Sequence, residues 1–124
     1  IVEERRNRPF EWGTHDCGLF AADVAQAITG EDPAAWLRGR YSTEAELENI
    51  IVPMGGIEEA IAQTMADFGA PECPVAFAQR GDWALVEHGN MLMTGVILGD
   101  RVAVPGTERM HFLPMRMVLR AWAV

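Results

Sequence analysis

Cysteine is scarce in this chain. Cys17 and Cys73 are the only two, too few for a disulfide framework, and no Cys-x-x-Cys pair marks a zinc or redox site. Histidine is nearly as scarce. His15, His88 and His111 stand apart with no i, i+4 pair, so neither a metal site nor a cofactor is expected. Basic residues number 10 against 18 acidic ones, a net charge of −8, which argues against binding nucleic acid through its phosphates. The one basic run, Arg5, Arg6 and Arg8, reads as a solvated N-terminal arm. No apolar stretch approaches the ~18 residues of a membrane span, which predicts a soluble globular protein. The first eight residues also lack the apolar core of a secretory signal, and Ile1 in place of an initiator Met implies trimming or residues ahead of it.

What is present is ample apolar material, 49% of 124 residues, enough for one domain over 1–124 with a single core in two layers. The spread acids suit solubility or docking onto a basic protein partner. Cys17, Phe20, Ala21, Val24, Ala27 and Ile28 recur at helical spacing and predict a helix from Cys17 to Ile28, with Thr14 or Asp16 as cap and Gly30 as stop. Leu19 falls on its polar side, to be covered by another segment or a partner. Asp32-Pro33 opens a short helix through Leu37, and Thr43-x-x-Glu46 reads as a capping box for a helix ending near Ile51. Ile57, Ile61, Met65 and Phe68 form a further helical stripe, stopped by Gly69 and Pro71.

From Val75 the period shortens. Residues 83–86, 95–98 and 101–104 are short apolar runs bounded by turn residues, with Gly99-Asp100 as a tight hairpin. Residues 110–113 and 118–122 add two more strands. The fold class is therefore α+β, N-terminal helices packed on a C-terminal antiparallel sheet.

Chemistry concentrates at Trp12-Gly13-Thr14-His15-Asp16-Cys17. A cysteine in the first turn of a helix sits among unpaired N–H groups and a partial positive charge, which favour the thiolate, the nucleophilic form. Cys17 is thus a candidate nucleophile, and also reads simply as a small core residue. His15 is the nearest substitute base, or a residue that holds the turn; His88 and His111 are more remote. Asp16 reads as a cap whose charge raises the thiol pKa and opposes the helix effect. The four tryptophans and seven methionines read as core, the latter also as an adaptable binding surface.

A Cys-headed helix followed by a sheet led by Gly81-Asp82 resembles the NlpC-like cell-wall cysteine peptidases of the papain-like superfamily. More closely, Trp12-Gly-x-His-Asp-Cys17, the Gly99-Asp100-Arg101-Val-Ala-Val-Pro-Gly106 turn and Phe112-Leu113-Pro114…Arg120-Ala121-Trp122 are similar to a small phage and prophage family encoded among tail-tip genes. That resemblance implies a base His on the second strand and a polar group on the next. Here Met93 or Thr94 stands at the first position, and Val102, Ala103 or Val104 at the second. None of these takes a proton from a thiol or orients an imidazole. The resemblance implies a tail-tip or baseplate virion protein, a pseudoenzyme made in the bacterial cytoplasm, that docks onto tail hub proteins. Its alternative is an active peptidase or amidase in which Cys17 attacks peptidoglycan stem peptides with His15 as base. A third reading is an inhibitor or chaperone that leaves after tail assembly.

Overall fold

The computed structural model describes residues 2–124. Helices α1 (Val2–Arg5), α2 (Cys17–Thr29), α3 (Glu44–Ile51) and α4 (Ile57–Phe68) precede strands β1 (Glu72–Cys73), β2 (Trp83–His88), β3 (Met91–Ile97), β4 (Arg101–Pro105), β5 (Met110–Pro114) and β6 (Val118–Trp122). The strands make one antiparallel sheet in the order β1-β6-β2-β3-β4-β5, so the architecture is α+β.

α2 forms where its apolar stripe and caps demand it. Asp16 accepts the Leu19 amide at 2.9 Å, and Gly30 ends the helix in the left-handed region. Phe20, Ala21 and Val24 enter the core, and Leu19 is covered as completely. Ile28, assigned by spacing to the same stripe, instead leans out over Gly81 and is 55% exposed. In α3 the Thr43 hydroxyl accepts the Glu46 amide at 3.2 Å. The returning Glu46 carboxylate takes the Ser42 amide at 3.1 Å, one residue earlier than a capping box requires. The Ser42 amide first, then the Ser42 and Thr43 hydroxyls donating to it, hold the Glu46 carboxyl below its ordinary range.

Two local expectations are corrected. The helix expected through Leu37 is a run of hydrogen-bonded turns, because Asp32 binds the Ala34 amide at 3.0 Å and too few residues follow Pro33 to propagate a helix. The solvated N-terminal arm is corrected at Arg5 only: Arg6 and Arg8 are exposed, but α1 is helical, Arg5 pairs with Asp23 of α2, and the Arg6 carbonyl accepts the Met110 amide of β5 at 2.9 Å. Arg38 bridges Asp23 at 2.5 Å and Asp32 at 2.6 Å, joining α1, α2 and the turns through one chain of charges.

The sheet alternates between two apolar faces. Trp83 and Leu85 of β2, Val96 of β3 and Trp122 of β6 pack with Phe20 and Met65 of the helices. The indole N–H of Trp83 donates to the Ala21 carbonyl at 2.9 Å, fixing α2 on β2. Val86, Ile97, Val102, Leu113 and Val118 form the second cluster, partly covered by Val75, Met115 and Met117. Gly95 sits where β3 passes closest to this cluster. A Cβ there would lie 2.4 Å from Val102 Cγ1 and 3.0 Å from Val104 Cγ1. No described helix is long and apolar enough to cross a membrane.

Candidate functional site

The site is organised by one buried carboxylate. Besides the Leu19 amide, Asp16 accepts the Gly13 amide at 3.1 Å and the Tyr41 hydroxyl. Gly13 has φ +84°, and a Cβ on it would come within 2.5 Å of the Tyr41 carbonyl oxygen, so only glycine lets the entering turn lie against the Tyr41 segment. A hydrogen bond to a charged group contributes about 1.5–3 kcal/mol, and three such donors converge here. Burial first, then the Asp16 contact, raises the Tyr41 hydroxyl pKa, so the phenol stays a donor. Cys17 follows directly and takes its position from this knot.

Cys17 is half-buried and lines two neighbouring spaces. One is an apolar cavity of about 60 Å³ walled by Trp36, Tyr41, Ile61, Trp83 and Thr94. The other is a groove of about 360 Å³ between α3 and β3, bordered by Trp12, Leu47, Glu48, Leu92 and Met93. Burial pushes the Cys17 thiol up to about 11; the charge of Asp16 adds to this, while the nearby Thr94 backbone works against it. At neutral pH the protonated thiol is the dominant form.

Of the two positions at which the expected imidazole is missing, Thr94 is the one that shares the cavity with Cys17, and it is 1% exposed. Met93 packs toward the opposite cluster and reaches only the groove. On the next strand Ala103 is buried on the helix-facing side, while Val102 and Val104 turn to the other face. No polar side chain stands there.

The structure does not place His15 and Cys17 in a common cavity. The His15 ring is fully buried, edge-on to Phe20 at 5.9 Å between centroids, with Nδ1 at 3.2 Å from the Pro9 carbonyl. A carbonyl only accepts, so Nδ1 carries the proton, and the buried Nε2 has no hydrogen-bond partner. Desolvation lowers the His15 pKa below its ordinary value, which keeps the ring neutral. His88 at the end of β2 and His111 on β5 are exposed and line neither space. Cys73 is free and half-buried on β1. Among the described residues no cluster of His, Cys, Asp or Glu is placed to hold a metal ion.

Sequence reasoning reached Asp16 and Cys17 but missed Tyr41. Its bond to Asp16 spans 25 residues through turns, and no periodic signal connects the two. Fold and site together define a class: an α+β domain presenting a cysteine in the first turn of a helix packed against an antiparallel sheet. The chain belongs to the family described as a domain of unknown function, DUF6950, with a match over residues 1–124. No curated protein and no solved structure matches it.

Proposed function

We propose that this chain is a degenerate NlpC-like, papain-like domain that acts by docking to hub proteins as a structural component of a bacteriophage or prophage tail tip. The sequence motifs around Cys17, Gly99–Gly106 and Phe112–Trp122 support the kinship. One observation carries the loss of hydrolysis: the cavity that Cys17 lines is bordered by Thr94 and, among the described residues, by no histidine. A hydroxyl does not take a proton from a thiol, and loss of a positioned base costs a factor of about a hundred to ten thousand in rate. A thiol that ionises only near pH 11 compounds the deficit. A groove with Glu44 and Glu48 on its wall, in a chain of net charge −8, fits a basic partner surface.

The test combines chemistry and assembly. Iodoacetamide labelling of Cys17 should accelerate up to about pH 11, synthetic stem peptides should stay intact, and the chain should co-purify with tail hub proteins and be found in particles. Stem-peptide cleavage that disappears in Cys17→Ala would establish the alternative, an active cysteine peptidase or amidase. Absence from particles together with no affinity for hub proteins would overturn the docking role.

A further inference from the structure

Resting on the docking reading, we infer that the groove beside Cys17 receives an extended cationic peptide segment of the partner, added as a strand to a free edge of β3. β3 pairs with β2 along its length, from His88↔Met91 to Trp83↔Val96, but with β4 only at Val96↔Ala103 and Ile97↔Val102. The hydrogen-bond phase of β3 is fixed at its C-terminal end: the Ile97 N–H donates to the Asp82 carbonyl at 2.9 Å, and the Ile97 carbonyl accepts from Gly81 at 2.8 Å. Antiparallel alternation then turns the backbone groups of Met91, Met93 and Gly95 toward β2, and those of Leu92, Thr94 and Val96 toward the opposite side.

Val96 spends its groups on Ala103. The next ladder step would oppose Thr94 to Pro105, and proline has no N–H to give. The ladder stops there. Proline keeps its carbonyl, so only the Thr94 C=O is left without a donor from β4, and one step further β4 supplies nothing to the N–H and C=O of Leu92. Leu92 lines the groove, so an interior strand of the sheet carries an open edge facing it.

The groove states the chemistry of its occupant. Its charged lining residues are Glu44 and Glu48, one turn apart on α3, and among the described residues no cationic side chain borders it. Val52 and Met91 lie on the same lining, 64% and 58% exposed, and offer apolar contact. A strand added here would gain affinity from main-chain hydrogen bonds to Leu92 and selectivity from alternate side chains. Side chains of one parity point toward the apolar cavity beside Cys17; cationic residues elsewhere on the segment meet the two glutamates.

The probe is an end-capped eight-residue peptide alternating arginine and valine, titrated into the isotope-labelled full chain. Binding should shift the Leu92 and Thr94 amides most. It should weaken about tenfold or more with the fully N-methylated peptide, with the glutamate–valine analogue, and in Leu92→Pro. That substitution removes a donor β2 does not use, and the N-methylated peptide reads the reciprocal bond, from the peptide N–H to the Leu92 carbonyl, without altering the protein. Absence of saturable binding, or binding indifferent to N-methylation, overturns the inference while co-purification with hub proteins still upholds docking. Cleavage of the bound peptide, lost in Cys17→Ala, keeps the strand addition and removes the non-catalytic reading.

Discussion

His15 carries the clearest pH signature of any single residue. Its ring is neutral and desolvated in the folded chain, with a pKa below its ordinary value, whereas in the unfolded chain it protonates near pH 6.5. Between those two values the unfolded state binds the extra proton, so stability falls as pH drops. Denaturant titrations from pH 7.5 to 5 should show the native chain losing stability relative to His15→Gln, beginning at about pH 6.5. Parallel curves for the two would refute the assignment. The carboxyls held low, Glu46 and Glu72, respond only at more acidic pH and do not overlap this window.

Among elements, the helices were the most legible. Stripes, caps and stop glycines placed α2, α3 and α4 to within a residue or two, because each signal acts locally. The strands were less so. Residues 91–94 belong to β3, yet Gly95 looks like a strand boundary when only the sequence is visible. It is an interior strand glycine, required by Val102 across the sheet, a contact no local pattern encodes. β1, two residues long, and α1, four residues long, are held by partners distant in sequence and give no periodicity to read. The same holds at the site, where Asp16 and Cys17 announce themselves and Tyr41 does not. Gly95→Ala should therefore cost about 1–3 kcal/mol in chemical denaturation through overpacking. Val102→Ala in the same chain should recover part of that loss, and failure to do so would place the strain elsewhere.

At the scale of the whole molecule, charge is lopsided in kind as well as in sum. All ten cations are arginines, and several are committed to internal pairs: Arg5 and Arg38 to Asp23, Arg120 to Glu58 and Glu72. The surplus of carboxylates faces outward at net −8. Association with a basic partner should then be steered over long range, with an association rate that falls as salt rises from about 0.01 to 0.15 M. Stopped-flow measurement across that range checks it, and a flat profile would assign the encounter to apolar contact alone.

The strand order has a bearing on how the chain comes into being. β6, made after the other five strands, lies between β1 and β2, one strand in from the edge of the sheet. While the ribosome is still working toward Val118, β2 has one flank bare and the pocket for Trp122 stands empty. Folding must therefore wait for the distal strand, and a nascent chain stalled short of it presents the aggregation-prone surface that chaperones hold.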